Sequence, residues 1–81
     1  MIKARITVTL KNGVLDPQGK AIEGGLHSLG FADVASVRQG KVFDVEMDSS
    51  NRSQAKNDLK AMCEKLLANL VIENFQIELL D

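Results

Sequence analysis

Alternating and helical hydrophobic runs follow one another along these 81 residues as strand, helix, strand, strand, helix, strand. That order predicts an α+β domain of the ferredoxin-like βαββαβ kind, an antiparallel sheet with two helices packed on one face. Two further observations agree with it. The first alternating run has a basic polar face (Lys3, Arg5) and the later ones acidic faces (Asp44, Glu46, Glu78), so neighbouring strands attract across an open sheet surface. The length is that of one domain, expected over residues 1–81, with no linker, repeat or low-complexity tail.

In the first run Ile2, Ala4, Ile6, Val8 and Leu10 point one way and Lys3, Arg5, Thr7 and Thr9 the other, the pattern of a strand with one buried face. The stretch Leu10 to Lys20, LKNGVLDPQGK, then turns the chain into a helix. Gly13 supplies backbone freedom. Asp16 is suited to the N-cap and Pro17 to the first helical position. Capping is the commoner use of an aspartate at such a spot, ahead of acid catalysis.

The first helix is expected from about Pro17 to Leu29, marked by Ile22, Leu26 and Leu29. Gly30 fits the left-handed position after its end, with Phe31 placed to return onto Leu26. Gly24 and Gly25 each cost about 1 kcal/mol against alanine inside a helix, which points to close packing against a sheet or a second helix, the commoner case, or to a surface that a partner's backbone approaches.

Val34 to Asp48 reads as a hairpin, with Val34, Ala35 and Val37 before a turn at Gln39-Gly40-Lys41 and Phe43, Val45 and Met47 after it. Asn51 with Gln54 three residues on resembles a capping box. The second helix, to about Leu67 or Asn69, has a broad stripe of Ala55, Leu59, Met62, Cys63, Leu66 and Leu67. Val71 to Leu80 closes as a strand. Right-handed crossovers place the first and third strands together in the centre, with the last strand flanking the first, unless it pairs with a second copy.

The net charge of −1 and the lack of Trp and Tyr argue against a nucleic-acid module. No apolar stretch nears the roughly 20 residues that span a bilayer, and Lys3 and Arg5 break any leader. A cytoplasmic protein is expected. Cys63 is alone, which rules out an internal disulfide and a cysteine metal cluster. A core this small has a thin stability margin, so a homodimer or higher homo-oligomer is expected.

The search for chemistry finds no enzyme constellation. His27 has no second histidine or carboxylate cluster to make a metal site and no nucleophile beside it. Cys63 lies in an apolar stripe and reads as a small core residue. Gly13 and Gly19 lack the spacing and the Lys-Ser or Lys-Thr of a phosphate loop. Arg38 and Lys41 either bind an anion or a partner's carboxylate, or form an ordinary solvated hairpin.

Three segments together go further: LKNGVLDPQG (10–19), VRQGK (37–41) and CEKLLANLVIENF (63–75). In order and spacing they resemble the PurS family, the small subunit of phosphoribosylformylglycinamidine synthase, over essentially the whole chain. One departure is Leu70, where many relatives have proline.

The resemblance implies a subunit with no catalytic, metal or cofactor site of its own. Such a subunit assembles with a large synthetase, where ATP and magnesium act, and with a glutaminase. As a dimer it bridges the two and supports transfer of ammonia in purine biosynthesis. Carried over residue by residue, Asp16, Pro17, Gln18 and Gly19 form a rigid corner, Arg38, Gly40 and Lys41 a hairpin tip, and Asn69 the end of the second helix. The corner and tip are expected to meet the large subunit through Asp16, Gln18, Arg38 and Lys41. The rival readings are an ACT-like domain that binds an amino acid between subunits, and a small enzyme using His27 or Cys63.

Overall fold

The structure, a computed structural model, describes residues 1–80; Asp81, the last residue of the expected domain, lies outside them. The elements are β1 (Ile2–Leu10), α1 (Pro17–Ser28), β2 (Gly40–Met47), α2 (Arg52–Met62) and β3 (Glu73–Leu80). A π-helical turn, Cys63–Leu67, continues α2. β1 is central and antiparallel to both β2 and β3. The α+β, ferredoxin-like class therefore holds, with the expected strands on either side of β1. The last strand pairs within its own chain.

Alternation fixes which face of the sheet is covered. Ile2, Ala4, Ile6 and Val8 are buried; Leu59 of α2, Cys63 of the π-helical turn and Ala68 pack with Ala4, Ile6 and Val8, and Ala55 of α2 is buried as well. Phe43, Val45 and Met47 of β2 and Phe75, Ile77 and Leu79 of β3 share that face but are only partly buried. On the open face Arg5 stands opposite Asp44 and Glu78. Its Nε donates to Asp44 at 2.9 Å, and Lys3 lies 3.9 Å from Glu46. The charge complementarity read from the sequence is thus realised, by exposed pairs that contribute little each.

Local signals at helix ends are obeyed. Gly30 has φ +101°. The Phe31 amide donates to Leu26 O and that of Gly30 to His27 O, both at 3.0 Å, which is the paired bonding that stops a helix at a left-handed residue. Asn51 caps α2 by accepting from the Gln54 amide at 3.1 Å. The Gln54 side chain donates instead to Asp58, so the capping box is one-sided.

Two expectations are corrected. Val34 to Val37 is not a strand, and the hairpin turned at Gln39-Gly40-Lys41 does not form: β2 starts at Gly40 and Lys41 already lies within it. Gly40 answers a different requirement, since a Cβ there would come within 2.7 Å of Val8 O on β1. The second correction is to helix packing. α2 alone covers the sheet, while α1 has only slight contact with the other elements, and only Gly19 of it is buried. The chain is accordingly long, 49 × 27 × 14 Å with a radius of gyration of 16.2 Å, against about 12 Å for a compact domain of this length. Gly24 and Gly25, expected to sit against a neighbour, have open space beside them within the chain. Among the described residues no helix is long and apolar enough to cross a membrane.

Candidate functional site

The three sequence-distant segments singled out above meet at one end of the sheet. They line an open cleft of about 590 Å³ whose walls include Leu10, Leu15, Pro17, Gln39, Lys41 and Ile72. The β1–α1 connection supplies one wall. Gly13, at φ +86°, closes a turn in which the Val14 amide donates to Lys11 O at 3.2 Å, a geometry that requires positive φ at its third residue.

Asp16 is the hub. It is buried, and its Oδ1 accepts from the Gly19 amide at 2.8 Å, the N-cap bond the sequence anticipates. Its Oδ2 accepts from the Gln39 amide at 2.7 Å. One carboxylate therefore begins α1 and also fixes the residue before β2. The Gln39 amide first, and the Gly19 amide next, hold its carboxyl below the ordinary range.

Arg38 closes the same joint from the other side. Its guanidinium donates to Val14 O at 2.8 Å and to Lys11 O at 3.2 Å. Gln39 Nε2 donates to Gln18 Oε1 at 2.7 Å. Gly19 is needed because a Cβ there would collide with the carbonyl oxygen of Val37. Segment 37–39 is thus bolted against the corner, which is the physical reason it cannot turn back as a hairpin.

The third wall comes from the exit of the second helix. The helical run stops at Leu67, and Asn69 organises the turn that follows. Its carbonyl accepts from the Ile72 and Glu73 amides, and its side chain accepts from the Val71 amide at 3.1 Å. The Asn69 amide donates to Glu73 Oε1 at 2.7 Å, and Glu73 Oε2 lies 3.7 Å from Lys41 Nζ. The Lys11 amide donates to Ile72 O at 2.8 Å, joining this wall to the first.

The candidate residues therefore divide by placement. Gln18 and Lys41 are exposed at the rim, each with a polar partner. Asp16 is internal, and Arg38, although at the surface, is committed to loop carbonyls. Pro17 opens α1 as expected. Glu73 belongs to the same network and was missed, because nothing in an alternating strand marks its first residue as special. His27 and Cys63 lie elsewhere. Nε2 of His27 donates to Val34 O at 2.8 Å, a strut between α1 and the returning chain. Cys63 is fully buried, and burial pushes its thiol up, away from a reactive thiolate. Among the described residues no three His, Cys, Asp or Glu are grouped to hold a metal ion.

Comparison with known proteins gives one consistent result. The family model described as PurS, phosphoribosylformylglycinamidine (FGAM) synthase, matches residues 3–81. The chain is 45% identical to the PurS subunit of Bacillus subtilis, over 96% of this chain and 92% of that one. It is 41% identical to that of Methanocaldococcus jannaschii, over 96% and 94%. Its fold is similar to a crystal structure of B. subtilis PurS, with a TM-score of 0.90 at 43% identity and full coverage of both chains. It is also similar to a chain in a structure of PurLQS from Thermotoga maritima, with a TM-score of 0.88 at 33% identity over 98% and 96%.

Proposed function

Since the chain belongs to the PurS family of phosphoribosylformylglycinamidine synthase subunits, we propose that it is the small accessory subunit of that ligase complex. In this reading a single domain over residues 1–81 works in the cytoplasm as a homodimer. It bridges the synthetase and glutaminase subunits and supports the passage of ammonia between them. ATP and magnesium belong to the synthetase, and the bonds made and broken lie in the two partners.

The observation that carries this reading is where the polar groups of the cleft point. Asp16, Arg38, Asn69 and Glu73 bond loop amides and loop carbonyls. Groups engaged in this way set the shape of a surface. A catalytic nucleophile and base need instead to converge on a common reacting atom. Gln18 and Lys41, exposed at the rim, meet the large subunit directly. Asp16 and Arg38 act through the position of segment 37–39.

Reconstitution tests the proposal. Synthetase and glutaminase are mixed with and without this chain, and amidine formation is followed with glutamine or with ammonium as nitrogen source. Addition of the chain is expected to restore the glutamine-dependent reaction and to leave the ammonium-dependent reaction nearly unchanged. Turnover of glutamine or ATP by the chain alone, or no effect on the mixture, would overturn the reading. Lys41→Glu is expected to weaken assembly in gel filtration without changing the fold.

A further inference from the structure

The cleft at the end of the sheet has a floor and a rim of different chemistry. Leu10, Leu15, Pro17 and Ile72 line it, and the apolar surface continues onto Leu70 and Val71 in the turn before Ile72. Leu15 is 69% exposed and Val71 82%, although hydrogen bonds fix the segments that carry them. Asn69 accepts from the Val71, Ile72 and Glu73 amides. Arg38 and the Gly13 turn hold Val14, the residue before Leu15. Slack in the chain is therefore not what leaves these two side chains outside. Apolar groups already held in place lose little freedom when a partner covers them.

The charges around this floor are sorted by sign. The carboxylates turn inward. Asp16 is buried on the Gln39 and Gly19 amides, and the Glu73 side chain, 13% exposed, is held by the Asn69 amide and by Lys41. The cations lie outward. The Lys41 side chain is 58% exposed, and an ammonium with one carboxylate partner keeps further N–H donors for others. Lys11, whose amide joins the two walls through Ile72 O, forms no ion pair among the described residues. Asp16, Arg38, Asn69 and Glu73 are all spent on the loops. A small polar ligand therefore finds no convergent set of free groups to orient it.

We infer that this cleft docks one kind of occupant: an extended segment of the large subunit that carries apolar side chains with a carboxylate beside them. The apolar side chains enter between Leu15 and Ile72 and cover Val71. The carboxylate meets the outward ammonium groups of Lys41 and Lys11. The floor supplies affinity by removing apolar surface from water, and the cations supply orientation and a faster approach. A second copy of this chain suits the rim less well, because a two-fold contact sets the same lysines against each other. The large subunit is the partner because Gln18 and Lys41, assigned to it above, stand on this rim. The inference deepens the accessory-subunit reading and rests on it.

The test titrates the full chain, fluorescently labelled, with the synthetase subunit and follows anisotropy. Leu15→Asp and Val71→Asp are each expected to weaken binding about tenfold or more, with circular dichroism and self-association unchanged because both side chains are exposed. Val71→Ile, which keeps the apolar surface, is expected to bind within about twofold of the parent chain. Binding of the parent chain is expected to weaken as sodium chloride rises from about 50 to about 500 mM, and the Lys11→Gln, Lys41→Gln pair to lose most of that salt response. Normal binding by both aspartate variants overturns the docking surface and leaves the accessory-subunit reading intact. So does a loss of self-association in their place, which makes a second copy the occupant. An unaltered salt response in the lysine pair overturns the acidic character of the segment. A parent chain that does not bind the synthetase overturns the reading and the inference together.

Discussion

The half of the molecule built from β1, α2 and β3 and the half built from α1 and residues 29–39 are stabilised in different ways. In the first, alternating residues of β1 meet the stripe of α2 and form the buried core, flanked by partly buried residues of the neighbouring strands. In the second, the arm, almost nothing apolar is buried. The arm is shaped by single bonds at its joints: Asp16 at its base, His27 to Val34 along it, and the Gly30 motif at its turn. The first half is held by its own core, whereas the second is held by the bonds at its joints.

The largest expected effect separates the two halves by size. Leu59 is fully buried under β1. Leu59→Ala should lower stability by about 2–5 kcal/mol, the range for a leucine removed from a packed core. Ile22→Ala on the arm should cost well under about 1 kcal/mol in the isolated monomer. Urea unfolding at concentrations where the chain is monomeric checks both. Equal losses would mean that the arm packs on its own core after all.

The next effect tests the joint between the halves. Gly19→Ala pushes a methyl group into the Val37 carbonyl, and backbone cannot swing aside as a side chain can. A loss of about 1–3 kcal/mol is expected, with chemical-shift changes concentrated at residues 16–19 and 37–39. Changes spread over α2 would show that the joint is coupled to the core.

Asp16 gives a smaller effect that depends on pH. Its carboxyl is held below the ordinary value of about 3.9 by the amides of Gln39 and Gly19. Its contribution is therefore complete above that value and lost as pH falls through the lower folded value. As pH falls below the ordinary carboxylate value of about 4, the Gln39 and Gly19 amide signals of the wild-type chain should move together. In Asp16→Asn they should already sit near the acid position at neutral pH, because the amide NH2 offers Gln39 a donor where it needs an acceptor. Signals that titrate identically in the two proteins would remove Asp16 from the joint.

This division also explains what could be read from the sequence. The alternation of Ile2 to Val8, the stripe of Ala55, Leu59, Met62, Cys63 and Leu67, the caps at Asp16 and Asn51 and the stop at Gly30 are all set within a turn or two of chain, and each was legible; Leu66, counted with that stripe, is exposed instead. The strand Val34–Val37 and the packing of α1 were misread because both depend on what lies across space. Gly40 looked like a turn residue, yet it is required by Val8 on the neighbouring strand. Arg38 looked like a partner-facing cation, yet its donors turn inward to Val14 and Lys11. The corner itself was found because Asp16, Pro17 and Gly19 have local work to do. Glu73, whose work is entirely non-local, left no trace in the pattern.

The smallest expected effect has opposite signs in the two states of the arm. Within one chain a Cβ at Gly24 meets open space. Gly24→Ala should therefore stabilise α1 of the monomer by up to about 1 kcal/mol, through the lower backbone entropy of the unfolded chain and better helix propensity. If α1 lies against a second copy at the glycines, the same methyl group comes between helix and sheet, and the dimer should weaken while the monomer gains. Helical signal in dilute protein and the dissociation constant from sedimentation read the two quantities separately. A gain in both would place Gly24 on the outer side of the arm and leave the glycine pair as a tolerated weakness of the helix. A gain in one with a loss in the other is the signature of a helix whose own stability has been traded for a close approach.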